Sequence, residues 1–388
     1  MQETETKTTF SEEQHIENTD ENIAILNALA SFRPSTTSLK LHELIKRAGN
    51  VEKAWDTPDE ALEQYGWTTE LRQKFNEHRA HFNIENGLQK LYEKNISFVS
   101  FYSQQYPKVL RTIFDPPLGL YVRGHLQEDG FNIAFVGSRK ATPYGKTATN
   151  MLVKPLAAKG ANIISGLAYG IDAEAHRATL SVHGITTAVL GNGCDEATMY
   201  PRAHRELARQ IVDNDGAVVS EYPPGTRPLG YFFPQRNRIV AGLSRALIVI
   251  EAGEKSGALI TARLALDQNR EVFALPGPIT SEMSQGTNSL LREGASPALN
   301  AEQIIETLEL FNLFDTKKVQ QVLRKNESTN IPATDDEKIL SILSSIPTTI
   351  DKIVENSKLP SNVVSSVMTM LEIDGLAKDV GGKNYVRI

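Results

Sequence analysis

The chain has 388 residues, which at about 150 residues per domain predicts two or three domains. Apolar residues make up 40% and charged residues 23%, a globular composition that excludes collagen, coiled coil and wholesale disorder. No apolar run approaches the roughly 18 residues of a membrane span, and the N-terminus lacks the features of a signal peptide. The single cysteine, Cys194, excludes an internal disulfide, and the eight histidines form no zinc pattern. We expect a soluble, cytoplasmic protein without a metal or cofactor.

The net charge of −6 is unevenly distributed along the chain. Residues 1–22 hold seven acidic residues and one lysine, whereas the remaining 366 residues hold 40 basic and 40 acidic ones. Between residues 131 and 238, twelve Lys and Arg stand against eight Asp and Glu. We expect residues 1–22 to form a disordered acidic tail. The middle of the chain predicts a basic patch, and such patches govern nucleic-acid binding more than net charge does.

Residues 23–84 are predicted to form a small all-helical module. Apolar residues recur there at helical spacing, as at Leu41 and Leu44, and glycines and prolines interrupt the pattern. From about residue 88 the pattern changes, and the runs 96–101 and 120–124 predict strands.

Within the predicted domain 88–306, residues 131–306 alternate short apolar runs with helix-sized stretches. The predicted strands are 133–136, 163–164, 187–190, 217–219, 246–250 and 272–275, and the predicted helices are 146–159, 173–182, 203–213 and 258–268. This alternation is typical of βαβ units with a buried parallel sheet. We therefore predict an α/β fold: a Rossmann-like, doubly wound, mostly parallel sheet.

The end of the chain predicts a further domain. Residues 307–334 are polar and are predicted to be a linker, whereas residues 335–388 predict helices at 335–345, 349–357 and 361–374, followed by a β-hairpin with a Gly-Gly turn. This order predicts a winged helix. Its third helix has no Lys or Arg, and residues 335–388 hold six basic and eight acidic residues. Because duplex recognition needs basic contacts to phosphate, we expect this domain to contact protein rather than DNA.

Small and polar residues follow each predicted strand of the Rossmann-like segment. In an open parallel sheet the carboxyl ends of the strands form one rim, where ligands bind. Glycines at such a rim allow close approach to a ligand, and helix N-termini favour anions. The basic residues of the rim are Arg139, Lys140, Arg202, Arg236, Arg238 and Lys255. Guanidinium groups among glycine amides are suited to phosphate, so the rim predicts a phosphate-binding site.

Two nucleotide-binding motifs fail at this rim. Seven residues separate Gly137 from Gly145, where the P-loop has four, so Lys146 is not expected to act as a P-loop lysine. The dinucleotide fingerprint would need a third glycine where this chain has Glu196.

No complete catalytic set is found. Ser165, Asp172 and His176 could form a hydrolase triad, but the loop lacks the G-x-S-x-G elbow. The other interpretation is that Asp172 caps a helix and His176 orients a neighbour. Cys194 is followed by two acidic residues, which would raise its pKa rather than activate it. We predict no catalytic residues and no enzyme.

The motifs of the segment resemble the DNA-processing protein A (DprA/Smf) family. They are VGSRKATPYGK, SGLAYGIDAEAH, LGNGCDEATMYPR, SEYPPGT, FPQRNRIVAGLS, SGALITARLAL, and VFALPGP followed by QGTNSLLREGA. The resemblance implies a single-stranded-DNA binder that forms a homodimer and loads RecA during natural transformation. Two positions depart from the family pattern: Tyr169, where Arg is common, and Ala258, where Ser is common.

The predicted single-stranded-DNA site combines the rim residues with those that the resemblance implies. It consists of Gly137, Ser138, Arg139, Lys140, Ser165, Gly166, Tyr169, Gly170, Arg202, Arg236, Asn237, Arg238, Lys255, Ser256 and Gly257. Single strands also need aromatic rings on which bases stack. The candidates are Tyr144, Tyr169, Tyr200, Tyr222, Tyr231, Phe232 and Phe233, of which we expect two or three to reach solvent.

Two alternatives remain open. The same fold hosts nucleotide phosphoribohydrolases of the LOG type, whose PGGxGTxxE motif is replaced here by PGP and an unrelated SQGTN. A winged-helix transcription regulator is the second alternative, and the acidic balance of residues 335–388 argues against it.

Overall fold

The structure is a computed structural model that describes residues 16, 19–33, 36–128, 130–310, 335–343, 347–373, 376–382 and 384–387. The chain divides into two compact units, residues 1–319 and 320–388. Most of the predicted acidic tail and linker lies outside the described residues. The first linker residues, 307–310, belong to a helix instead. Within the described segments, no helix is both long and apolar enough to cross a membrane.

The first unit begins with helices, as the spacing of apolar residues predicts. They are α1 (Asp20–Ser31), α2 (Ser38–Ala48), α3 (Val51–Trp55), α4 (Asp59–Gln64), α5 (Thr69–His81) and α6 (Ile84–Tyr92). Polar side chains at several helix starts accept hydrogen bonds from first-turn amides, which otherwise lack partners. These caps are Thr19, Thr37, Asn50, Thr68 and Asn83.

A mostly parallel sheet follows. Its strands are β1 (Ser97–Ser100), β2 (Gly119–Gly124), β3 (Asn132–Val136), β4 (Asn162–Ser165), β5 (Thr186–Leu190), β6 (Ala217–Ser220), β7 (Ala246–Val249), β8 (Glu271–Ala274) and β9 (Ser296–Pro297). Among the described residues they are ordered β1-β2-β6-β5-β4-β3-β7-β8-β9. The strands from β6 to β9 in this order are parallel, while β1 and β2 pair antiparallel at the β6 edge.

Helices cover both faces of this sheet. They are α7 (Lys108–Arg111), α8 (Pro143–Ala158), α9 (Ile171–Leu180), α10 (Arg205–Asp213), α11 (Phe232–Gly242), α12 (Gly257–Asp267), α13 (Gln285–Arg292) and α14 (Ala301–Leu310), with short 3-10 helices at Arg202–His204 and Glu282–Ser284. Strand β3 illustrates the two layers: Ile133 and Phe135 pack in one core with α8 and α9, and Ala134 and Val136 in another with α11 and α12. The predicted doubly wound sheet is confirmed.

The N-terminal helices pack directly against this sheet. Leu26 and Leu29 of α1 share one hydrophobic core with Tyr121 of β2 and with residues of α9 and α10. The Tyr121 hydroxyl also donates a 3.0 Å hydrogen bond to Asn27. The helices and the sheet therefore form one compact unit rather than two separate modules.

The second unit is the predicted winged helix. It contains α15 (Asp335–Ile342), α16 (Ile350–Ser357), α17 (Ser361–Ile373), β10 (Thr348–Thr349), β11 (Ala377–Asp379) and β12 (Asn384–Arg387). Ile339, Ile353 and Val364 bring the three helices into one small core. Gly381 and Gly382 turn the β11–β12 hairpin with φ of 107° and 66°, a conformation that favours glycine.

Candidate nucleic-acid interface

A cleft lies at the carboxyl ends of β3, β4 and β5. Three loop segments and the first turns of α11 line it, around a space of about 290 Å³ that is partly open to solvent. Its lining residues are Arg139, Gly166, Ala168, Tyr169, Tyr200, Pro201, Phe233 and Arg236. The cleft therefore brings together four of the predicted site residues, Arg139, Gly166, Tyr169 and Arg236, and three of the candidate aromatic rings, of which Tyr169 is one.

Arg236 forms the floor of the cleft and is only 5% exposed. Its Nη1 donates to the carbonyl oxygens of Gly166, at 2.8 Å, and of Val189. A Cβ atom at position 166 would lie 2.5 Å from the guanidinium, so a larger residue there would displace the Arg236 side chain. Burial lowers the pKa of Arg236 to about 10, although Asp172 opposes the shift. Arg236 therefore stays positively charged at neutral pH while hydrogen-bonded to uncharged carbonyls.

Asp172 organises the loop behind this arginine. Its Oδ2 accepts hydrogen bonds from the amides of Gly166, at 3.1 Å, and Ala168, at 3.4 Å. Burial raises the pKa of this carboxyl, and the charge of Arg236 and the two amides counteract the rise. Asp172 was expected to cap a helix, but α9 has no side-chain cap, because the carboxylate points back to the preceding loop.

Arg139 and three aromatic rings form the exposed wall of the cleft. The Arg139 guanidinium lies 5.7 Å from the centroid of the Phe233 ring, within the range of a cation–π contact. The Phe233 ring lies 5.6 Å from that of Tyr200. Tyr169 is 47% exposed and Tyr200 42% exposed, so both rings can meet a ligand.

The number of exposed rings is larger than expected. Tyr144, Tyr169, Tyr200 and Tyr231 are each more than 40% exposed, where two or three exposed rings were expected. Phe233 is half-buried, while Tyr222 and Phe232 are core residues in contact with each other.

The crevice between β3 and β7 is filled by a side chain of the protein itself. Strand order reverses there, and open α/β sheets commonly bind nucleotides at that point. The buried carboxylate of Glu251 accepts hydrogen bonds from the Thr142 amide, at 2.9 Å, and the Thr142 hydroxyl at the start of α8. A Cβ at position 145 would lie 2.4 Å from this carboxylate, so Gly145 makes room for it. The N-terminus of α8 therefore already holds an anion.

Two further predicted site residues are buried and do not line the cleft. Ser165 is fully buried and donates a 2.7 Å hydrogen bond to the carbonyl of Phe135. Arg238 donates to both carboxylate oxygens of Glu221, at 2.9 and 2.8 Å, and to Asp115 at 3.1 Å. Burial alone would raise the pKa of Glu221, but Arg238 and Arg33 hold it below its ordinary value.

The remaining predicted residues surround the cleft or lie away from it. Gly137, Ser138, Gly170 and Asn237 are half-buried, and Arg202 and Lys140 are exposed. Asn237 accepts a 3.2 Å hydrogen bond from Nε of Arg236. Lys255, Ser256 and Gly257 follow β7, on the other side of β3, and do not line the cleft; Ser256 caps α12. FPQRNR, expected in the rim loops, lies in α11.

The three candidate catalytic residues do not form a triad. Ser165 bonds to Phe135 and Asp172 to loop amides, while Nδ1 of His176 lies 2.7 Å from the Thr186 hydroxyl. Burial lowers the pKa of His176 to about 3. Cys194 is buried, and burial, more than its acidic neighbours, raises its pKa to about 12. Among the described residues no group of three or more His, Cys, Asp or Glu could hold a metal ion.

Comparisons with known proteins agree with the motifs. The model of the family described as DNA recombination-mediator protein A matches residues 97–309, and that of the DprA winged helix domain matches residues 324–383. Protein Smf of Escherichia coli is 37% identical over 357 residues, which cover 91% of this chain and 94% of that protein.

Two DprA proteins extend the comparison. DNA processing protein DprA of Bacillus subtilis is 42% identical over 218 residues, 56% of this chain and 72% of that protein. The X-ray structure of DNA processing protein A from Streptococcus pneumoniae matches with a TM-score of 0.62 at 31% identity, covering 75% of this chain and 98% of that one. The chain therefore belongs to the DNA recombination-mediator protein A family, also called DprA or Smf.

Proposed function

We propose that the cleft binds single-stranded DNA. The observation that carries this proposal is that two guanidinium groups, of Arg139 and Arg236, share one cleft with the rings of Tyr169, Tyr200 and Phe233. Guanidinium groups bind phosphate oxygens, and aromatic rings stack on unpaired bases of any sequence. Because a duplex keeps its bases stacked on each other, the rings favour a single strand.

The proposed contact surface is the cleft and its immediate edge. It consists of Gly137, Ser138, Arg139, Lys140, Gly166, Tyr169, Gly170, Tyr200, Arg202, Phe233, Arg236 and Asn237. We assign supporting roles to Ser165 and Arg238, whose buried hydrogen bonds hold β4 and α11 in place. A contact of Lys255, Ser256 and Gly257 with DNA stays a prediction for a strand that extends past β3.

We infer further that the bound strand is passed to the RecA recombinase in the cytoplasm during natural transformation, by a homodimer of this chain. The family's description as a recombination mediator supports this inference. In this role the protein breaks no bond in DNA or nucleotide, and loading is driven by binding free energy alone.

The alternative of a nucleotide-processing enzyme is weakened by the crevice between β3 and β7. A nucleotide phosphate at the start of α8 would meet the buried carboxylate of Glu251, which already accepts hydrogen bonds from the amide and the hydroxyl of Thr142. Two negative charges at one helix N-terminus repel each other. Incubation with nucleoside monophosphates should therefore release no base or phosphate.

The direct test is to titrate the protein into fluorescent oligo-dT and, separately, into a fluorescent duplex of equal length, and to compare the two affinities. We expect tighter binding to oligo-dT, with affinity falling by roughly 0.7 log units per log unit of salt for each phosphate neutralised. Equal affinity for the duplex, or binding that ignores salt, would overturn the proposal. The mediator role is tested by RecA filament formation on the same oligonucleotide, which this protein should accelerate.

A further inference from the structure

We propose that the exposed face of α8 continues the DNA path beyond the cleft, an inference that rests on the proposed function of the cleft. The stretch from residue 131 to residue 170 contains five basic residues and no acidic one. The basic residues are Arg139, Lys140, Lys146, Lys154 and Lys159. Arg139 lines the cleft, and only three residues separate it from Pro143, the first residue of α8.

The packing of α8 turns its charged side to solvent. Its apolar face, including Ala148, Leu152 and Leu156, is buried against the sheet. The exposed positions from Tyr144 to Lys154 are Tyr144, Lys146, Thr147, Met151 and Lys154. Lys146 and Lys154 are eight residues apart, at two ends of an oblique i, i+4, i+8 row, about 12 Å apart along the helix axis and about 80° apart around it.

The two lysines are available for an external anion. Glu174 of the adjoining helix α9 accepts a 2.6 Å hydrogen bond from Asn150, which lies between the lysines in the row. In the part of the chain that the structure describes, Lys146 and Lys154 have no carboxylate within 4 Å, whereas Lys159 lies 3.9 Å from Glu302. Two lysines without a direct ion pair, set against the one neighbouring carboxylate of Glu174, leave a net positive surface that attracts a polyanion.

Two other exposed side chains of α8 suit a single strand better than an acidic protein surface. Tyr144 is 48% exposed, and its hydroxyl donates a 2.7 Å hydrogen bond to the carbonyl of Pro276, which holds the ring in place. Met151 is 68% exposed on the same face. Tyr144 and Met151 are seven residues apart and lie along one line of α8, with Lys154 next to that line and Lys146 at the other edge of the exposed face. The ring and the apolar side chain are therefore placed to meet bases, and the ammonium groups to meet phosphates. Lys146, which fails as a P-loop residue, thereby gains a role.

The test compares two lengths of oligo-dT. The short strand has about six nucleotides and fills only the cleft, whereas the long strand has about 20 nucleotides and also reaches across α8. We expect the double variant Lys146→Ala/Lys154→Ala to bind the short strand like the parent and the long strand roughly tenfold more weakly at low salt. Its salt slope on the long strand should fall by roughly 1.4, because two phosphate contacts are lost. The control Lys53→Ala/Lys90→Ala removes two exposed lysines of the N-terminal helices. It should bind both the short and the long strand with the affinity of the parent.

The outcomes separate this inference from the proposed function. A parent protein that binds neither strand would refute the cleft itself. If the parent binds both lengths and the double variant binds the long strand equally well, the α8 path is wrong, and an acidic protein partner becomes the explanation of the lysine row. An equal loss on both lengths would also overturn the α8 path, because the lysines would then act on the cleft. Both double variants should have the melting temperature of the parent, since all four lysines are exposed.

Discussion

Arg236 and Arg238 are two residues apart on α11, both nearly buried, yet they belong to different regions of the molecule. Arg236 reaches the cleft and donates to the carbonyls of Gly166 and Val189. Arg238 joins Glu221 and Asp115 in a buried ion cluster that also includes Arg33 of the N-terminal segment. Residues two apart on a helix point to nearly opposite sides, so one short motif serves both regions.

The two regions differ in the partners of their arginine. Carbonyl oxygens orient the guanidinium of Arg236, and Asp172 acts on its charge without a direct ion pair, so in the proposed site this charge faces the phosphate. Two carboxylates cancel the charge of Arg238, and bidentate geometry fixes its position. The cleft is therefore expected to govern affinity, and the ion cluster is expected to govern stability.

The largest effect is expected from Glu221→Gln. This change leaves Arg238 and Arg33 without the carboxylate that they share, and breaking a buried ion pair costs about 3–5 kcal/mol of unfolding free energy. Denaturant unfolding measures the loss. The affinity for oligo-dT per folded molecule should stay that of the parent.

A matched control for this variant is Glu43→Gln. Glu43 pairs with Arg47 on the surface of α2, where an ion pair contributes at most about 1 kcal/mol. If both variants were equally stable, or if Glu221→Gln weakened DNA binding in the folded state, the division between the two regions would be wrong.

The next effect in size is expected from Arg139→Ala. A charge-assisted hydrogen bond contributes about 1.5–3 kcal/mol, which corresponds to about 10- to 150-fold in affinity for oligo-dT. Arg139→Lys should recover only part of the loss, because an ammonium cannot hold two phosphate oxygens in a fixed plane. The melting temperature should not change, since Arg139 is exposed. A variant that binds like the parent would remove the central residue of the proposed site.

Much of the fold could be predicted from the sequence because burial leaves a strong pattern. Every predicted strand of the parallel sheet is present within one or two residues, since strands buried on both faces must be continuously apolar. The helix α11 was not predicted. Its polar residues Arg236 and Arg238 are buried rather than solvated, so its pattern lacks the polar face of a surface helix.

The rim was predicted, but not which of its charges are neutralised. Glu221 and Asp115 lie 17 and 123 residues from Arg238 in sequence, and only the fold brings them together. Glu251 carried a weak signal, an acidic residue directly after a buried strand, yet its partner Thr142 is 109 residues away. Pairings over such distances depend on strand order, which the sequence pattern does not specify.

Tyr169 offers a sharper test of the cleft, with a smaller expected effect. Tyr169→Ala should cost about 1–3 kcal/mol if a base stacks on the ring, and Tyr169→Phe should bind like the parent. Tyr169→Arg introduces the residue that is common at this position in the family. It should steepen the dependence of log affinity on log salt by roughly 0.7, for one added phosphate contact. If Phe and Ala variants bind alike, the ring is not a stacking platform.

The ion cluster also predicts a pH dependence, which should be weaker than the effect of Glu221→Gln. The pKa of Glu221 is lower in the folded protein than its ordinary value of 4.5, despite the opposing effect of burial, because Arg238 and Arg33 stabilise its charge. Its contribution to stability is therefore present above pH 4.5 and lost as pH falls through the folded pKa. The unfolding free energies of the parent and of Glu221→Gln, plotted against pH, should converge as pH drops below 4.5. Parallel curves would exclude proton binding at Glu221.

The smallest effect on DNA binding is expected from removal of the winged-helix unit. Residues 335–388 carry six basic and eight acidic residues, and α17, at the position of a recognition helix, has no Lys or Arg. Such a surface repels phosphate rather than attracting it. Because residues 1–319 form a compact unit by themselves, a chain ending at Val319 should fold, bind oligo-dT within a few-fold of the parent and keep the same salt slope. A hundredfold loss of affinity in a folded chain of this length would mean that the winged helix contributes to the DNA site. Unchanged DNA binding combined with lost acceleration of RecA filament formation would instead assign the acidic unit to a protein contact.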